Sequence, residues 1–168
     1  MDLFANLADM DQFQLIAIAG GLGALLGLER EIAGKPAGLR THIFVAAGAA
    51  LLIVLSRVVL DDFHEQEGNS VIQTDPVRVI QAIVVGISFL GAGTIIHDDD
   101  QHVEGLTTAA SIFLTAGIGI TAALDRIGLA IAVTLAALGV LLLVGILETW
   151  LHRHVRPERF DSRQSRDS

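Results

Sequence analysis

Cysteine and tyrosine are absent from the 168 residues, proline occurs three times and tryptophan once. Without cysteine there are no disulfides, no thiolate metal ligands and no cysteine nucleophile. Charge is scarce as well: 18% of residues are Asp, Glu, Lys or Arg, against roughly 25% in an ordinary soluble domain. The balance is acidic, 19 Asp+Glu against 11 Lys+Arg, and the formal charge of −8 argues against a nucleic-acid partner. No Ser/His/Asp set, phosphate-binding loop or metalloenzyme motif is present, and the chain is not expected to be an enzyme.

The missing charges leave five uncharged runs: Gln12–Leu28, Thr41–Ser56, Val79–Ile96, Gly105–Leu124 and Ile127–Leu147. Together they hold 92 of the 168 residues. A helix needs about 20 mainly apolar residues to cross a bilayer, within a working range near 17–25. A soluble domain of this size would instead show helices with one polar face. The expected fold is therefore all-α: a polytopic membrane protein of five transmembrane helices over residues 1–151, with a basic, polar, disordered tail over 152–168. The second run, at 16 residues, needs Val58–Leu60 to reach a comfortable length, with Arg57 reaching back to the interface.

Basic residues set the expected orientation. Arg30, Lys35 and Arg40 lie between the first two runs, and Arg153, Arg156, Arg159, Arg163 and Arg166 follow the last. With five crossings these eight fall on one side, and Arg57, Arg78 and Arg126 on the other. The positive-inside rule then puts the N-terminus outside and the C-terminus in the cytoplasm, with Trp150 at the inner interface.

The 17 glycines point to close helix packing. Gly23 and Gly27 have small-xxx-small spacing in the first run, and Gly91 and Gly93 are the candidate packing residues of the third. A seam between two copies is the alternative use of the same faces. An internal repeat adds to this pattern. Leu22-Gly23-Ala24 recurs as Leu90-Gly91-Ala92 after 68 residues, and Gly38-Leu39-Arg40-Thr41 as Gly105-Leu106-Thr107-Thr108 after 67. Ile43-Phe44 and Gly48 recur as Ile112-Phe113 and Gly117 after 69. Helices 1–2 and 3–4 would then form parallel units, related by an axis along the membrane normal.

Three sets of residues are candidates for chemistry. Asp98, Asp99, Asp100 and Glu104 are hard oxygen ligands suited to weak Mg²⁺ association, or else a solvated acidic turn. Glu29, Arg30, Arg40 and Thr41, with Thr107 and Thr108 opposite, form a polar cluster at the inner ends of the spans. Such groups mark function or simply set span depth as an ion pair. Arg40 is expected to pair with Glu29 or Glu104. Thr108, Ser111 and Thr115 share one helical face, which lines a polar path or makes inter-helix hydrogen bonds.

Three ordered motifs carry a resemblance. Glu29-Arg30 followed by Lys35-Pro36-Ala37-Gly38-Leu39-Arg40-Thr41-His42 resembles the MgtC/SapB family of bacterial inner-membrane proteins. Gly86-Ile87-Ser88-Phe89-Leu90-Gly91-Ala92-Gly93-Thr94-Ile95-Ile96 and Val103-Glu104-Gly105-Leu106-Thr107-Thr108-Ala109-Ala110 are similar to that family's third- and fourth-span motifs. The resemblance implies an inner-membrane protein linked to magnesium homeostasis and stress survival. For virulence-associated members it also implies regulation of the rotary ATP synthase as a membrane partner. The chain is expected to be a short form without the soluble C-terminal domain of those members. It also differs in lacking their cysteines, in Ser88 where glycine is common, and in Phe113 where tryptophan is usual. The leading expectation is a regulator acting through other membrane proteins, without a cofactor. A transporter or channel for Mg²⁺ or another small solute is the alternative.

Overall fold

The computed structural model describes residues 7–66, 76–97 and 103–155. Five helices follow one another: α1 (Leu7–Ile32), α2 (Leu39–Gln66), α3 (Pro76–Ala92), α4 (Leu106–Ala123) and α5 (Ile127–Val155). Between α3 and α4 lies a small antiparallel hairpin of β1 (Ile96–His97) and β2 (Val103–Glu104), with Ile96 opposite Glu104. The all-α class and the helix order agree with the charge-free runs.

Local chemistry sets the helix ends. At the end of α1 the Gly34 N–H donates to the Glu31 carbonyl at 3.1 Å and the Lys35 N–H to the Arg30 carbonyl at 3.0 Å. Gly34 has φ +67°, so this is a left-handed glycine stop, and Pro36 two residues on prevents the helix from resuming. The same device closes α4 with a different residue. Asp125, at φ 61°, donates to the Ala122 carbonyl and Arg126 to the Thr121 carbonyl. Such a short stop leaves α5 no choice but to fold back beside α4. Gly105 begins α4 at φ +88°, and a Cβ there would run into the Thr94 carbonyl, so only glycine fits between hairpin and helix.

α1, α2 and α4 make the core. Ala19, Leu22 and Leu26 of α1 meet Ala46, Ala49 and Ile53 of α2 and Ile112, Ala116 and Ile120 of α4, all buried. The preponderance of alanine lets backbones approach closely, which in a bilayer is the main source of helix association. Half of the apolar window of α4 is buried but only 11% of that of α5. α4 is thus the central post, and α5 presents Leu135, Val140, Leu143 and Ile146 outward as lipid would require. α3 packs mainly on α4 and leaves an apolar groove of about 720 Å³ against α2, lined by Phe44, Leu52, Ile83 and Ile87 among others.

Among the described residues, three helices are long and apolar enough to cross a membrane alone: Leu39–Val59 of α2, Leu106–Ala123 of α4 and Ile127–Leu147 of α5. The apolar part of α3, Val77–Ala92, is shorter. α1 is 26 residues long, but charge-free only over Gln12–Leu28. The second span is longer than its 16-residue run implied, because α2 continues through Arg57 to Gln66. α5 likewise continues past Leu151 to Val155, and the rest of the expected tail, 156–168, lies outside the described residues.

The repeat is visible in the packing. A Cβ on Gly23 would meet His42 and Ala46 of α2, and one on Gly91 would meet Ala109 of α4. Gly91 lies 68 residues after Gly23, and Ala109 lies 67 after His42. Equivalent positions therefore touch in the two helix pairs, with alanine in the second where the first has histidine.

Candidate functional site

Arg30, His42, Thr108 and Ser111, most of the buried polar residues, collect at one end of the bundle, where α1 ends and α2 and α4 begin, while Thr115 and Thr134 lie further along. α1 and α2 are antiparallel and nearly in backbone contact here. A Cβ on Gly27 would come within 2.7 Å of Leu39 Cα and 2.9 Å of His42 Cβ, and one on Gly23 within 2.5 Å of the His42 carbonyl oxygen. Gly91 makes an ordinary contact with Ala109. Gly93 sits in the turn after α3 beside its own Leu90 carbonyl, so it packs no second helix. The tightest approach between two helices involves a glycine that the spacing did not single out: a Cβ on Gly119 would collide with the Ala46 backbone of α2.

His42 lies at the centre of this end with no exposed surface. Its Nδ1 is 2.9 Å from the Gly38 carbonyl oxygen. A carbonyl can only accept, so Nδ1 carries a hydrogen and donates it. Nε2 is 3.2 Å from the Ser111 hydroxyl of α4. That hydroxyl is also 2.8 Å from the Thr108 carbonyl one turn earlier. Thr115, buried below, donates to the Ser111 carbonyl at 2.7 Å. The shared face of Thr108, Ser111 and Thr115 thus lies in the core. Ser111 makes its inter-helix contact, and Thr115 spends its hydrogen on its own helix.

Glu29 and Arg30, at the end of α1, bring charge to the same junction. Arg30 Nη1 is 3.8 Å from Glu29 Oε2, with the side chains 5% and 14% exposed. Glu29 Oε2 and Arg30 Nε are buried without a hydrogen-bond partner. Adjacent helical residues point in diverging directions, which explains why the pair is long and leaves two polar atoms unused. Arg30 belongs to the last turn of α1, where the helix dipole favours a cation.

Among the other expected members, Thr108 is buried, Thr41 is half-buried, and Arg40 and Thr107 are exposed. Arg40 is not the partner of Glu29 or Glu104. It lies on the outer side of α2, while Arg30 takes the place beside Glu29. Glu104 is exposed on β2, and Asp98, Asp99 and Asp100 lie outside the described residues. Among the described residues no group of three or more His, Asp or Glu is arranged to hold a metal ion.

Two contributors were overlooked in the sequence. His42 is the sole ionisable side chain in an otherwise uncharged run, which is itself a signal. Glu31 reaches across the turn, and its carboxylate accepts the Leu39 N–H at 2.9 Å, capping α2. Replacing Glu31 with alanine should cost about 1 kcal/mol by loss of this cap. Thermal unfolding in detergent should show Glu31→Gln intermediate between the two. Equal midpoints for all three would remove the cap from the account.

The MgtC family profile matches residues 16–150. Over 117 residues the chain is 40% identical to the protein MgtC of Salmonella typhimurium, covering 70% of this chain and 45% of that one. It is 32% identical over 158 residues to the protein SapB of Bacillus subtilis, covering 94% and 65%. It is 41% identical over 106 residues to the putative magnesium transporter YhiD of Escherichia coli K12, covering 63% and 47%. The chain thus spans about half to two thirds of the length of these relatives. No solved structure matches it. With three apolar helices of spanning length among the described residues and a family match over residues 16–150, this is a membrane protein that belongs to the MgtC family.

Proposed function

We propose that the chain is an inner-membrane regulatory protein of bacteria, linked to Mg²⁺ homeostasis and stress survival, that acts through contacts with other membrane proteins. The observation that carries this reading is the closed interior. Beyond His42 the space between α1, α2 and α4 is filled by Ala19, Leu22, Ala46, Ile112, Ala116 and Ile120. The hydroxyls of Thr115 and Thr134 are bonded within their own helices. A hydrated ion needs polar groups free to bind it along its whole route, and these buried hydroxyls give their hydrogens to their own helices. The apolar outer faces of α3 and α5 are what lateral association in a bilayer uses, with a second copy or with a partner such as the rotary ATP synthase that the family resemblance implies. In this reading the Glu29–His42 end faces the cytoplasm, no reaction is catalysed and no cofactor is needed.

A transporter is the second reading, favoured by the buried Glu29–Arg30 pair and by the name that the Escherichia coli relative carries. Liposomes with a trapped magnesium indicator separate the two. Flux through the purified protein is expected to stay at the leak of protein-free vesicles. Protein-dependent flux that disappears in an Asp98/Asp99/Asp100→Asn variant would replace the regulator with a transporter whose entrance is the acidic loop.

A further inference from the structure

The contacts around His42 can be satisfied with the ring either neutral or protonated. Nδ1 donates to the Gly38 carbonyl, which fixes the neutral tautomer and leaves Nε2 with a lone pair. Ser111 has a single hydroxyl hydrogen and two acceptors within reach, Nε2 at 3.2 Å and the Thr108 carbonyl at 2.8 Å. With neutral His42 that hydrogen can go to Nε2 at no loss, since the Thr108 carbonyl also accepts the N–H one turn on within α4. Adding one proton at Nε2 reverses that contact. The ring then donates to Ser111 Oγ, and the Ser111 hydrogen goes to Thr108. The two arrangements differ by one proton and by the direction of one hydrogen bond, and no covalent bond to a heavy atom changes.

The neighbours supply a counter-charge. α1 contributes Glu29 and Arg30, whose pairing at 3.8 Å leaves Glu29 Oε2 buried and unbonded. Glu31, also of α1, is exposed and occupied in capping α2 beside Gly38. α2 adds the exposed Arg40, and α4 carries no charged residue from Leu106 to Ala123. α5 has none over Ile127–Leu147. A buried carboxylate oxygen with no hydrogen-bond donor, at the same junction as an imidazole whose Nε2 can either accept or donate, is the composition of a proton site. Glu29 is also the least buried of the three, 14% exposed at the margin of the bundle, and gives protons a way in from solution.

We propose that His42, Glu29 and Arg30 form a buried proton-binding site, in which Nε2 of His42 takes up the proton and Glu29 carries the counter-charge. The ligand is a proton delivered by water, and the charge at the α1–α2–α4 junction follows the pH on that face of the membrane. The site stands on its own geometry, independent of any link to magnesium.

The test is nitrogen NMR of ¹⁵N-histidine-labelled full chain in lipid nanodiscs, with His42→Gln assigning the signal. Acidification from about pH 8 to about pH 5, the range in which histidines exchange protons, should give one protonation step at Nε2 while Nδ1 stays protonated. In Glu29→Gln, the same step should need a roughly threefold or higher proton concentration, because the counter-charge is gone. A ring that keeps one protonation state throughout overturns the site, and so does a step that Glu29→Gln leaves in place. Should Glu29→Gln fail to fold, the wild-type titration alone decides between a step and none.

Discussion

Gly119→Ala is expected to destabilise the bundle by about 2 kcal/mol or more, while Gly117→Ala, two residues away, changes little or stabilises slightly. A methyl group at 119 has no room, because the atoms it would meet are the carbonyl oxygen, carbonyl carbon and Cα of Ala46. Backbone atoms in the middle of α2 do not move as the tip of a side chain does, so α2 and α4 would have to separate. Overpacking a close-packed interior costs typically 1–3 kcal/mol. The separation would also stretch the His42–Ser111 contact on the same helix pair. Helix propensity works against this effect, since alanine is favoured over glycine by roughly 1 kcal/mol. Gly117, with nothing near its absent Cβ, should show that gain alone. Thermal unfolding of both variants in one detergent, followed by helical circular dichroism, makes the comparison. Matching midpoints would mean that the α2–α4 contact is looser than described.

Gly119 also shows where sequence reading stops. Gly23 and Gly27 attract attention through their four-residue spacing, and both lie where α1 meets α2 without room for a side chain. Gly119 has a neighbour at Gly117 on a different face of the helix, and its one signal is that it continues the Ser111–Thr115 face at four-residue spacing, which a search among glycines alone passes over. The helices themselves were legible because charge-free runs and the Gly34-Lys35-Pro36 stop are local features. The length of α2 was not, since Arg57 ends an uncharged run without ending a helix. The same limit applies to the site. Glu29 and Arg30 stand out as charges at the edge of a run, but the choice between Arg30 and Arg40 as the inward arginine depends on how α1 rotates against α2. His42 and Ser111 are 69 residues apart and meet only because two helices begin at the same end. The repeat gave a hint, since it brings Gly38 and Gly105, and hence both helix starts, into equivalent places.

Arg30→Ala should be the costlier half of the Glu29–Arg30 pair, at about 3 kcal/mol, with Glu29→Ala costing less. Removing one member of a buried pair leaves the other charged and unpaired, which costs about 3–5 kcal/mol in well-buried cases. Arg30 is the more buried of the two, and its charge is also favoured by the C-terminal end of α1, whereas that of Glu29 is disfavoured there. Glu29→Ala therefore removes an anion that the helix end repels, and part of its cost is returned. The double variant Glu29→Ala/Arg30→Ala should lose less than the sum of the single losses by about 1 kcal/mol or more, since neither charge is then left alone. The 3.8 Å separation makes this a demanding test, because it lies at the outer limit of an ion pair and the two residues are sequence neighbours. If the losses simply add, each side chain is held by something other than its neighbour. The unbonded Oε2 and Nε would then be the places to look for what holds it, bridging water first, since one water molecule can donate to the oxygen and accept from the nitrogen.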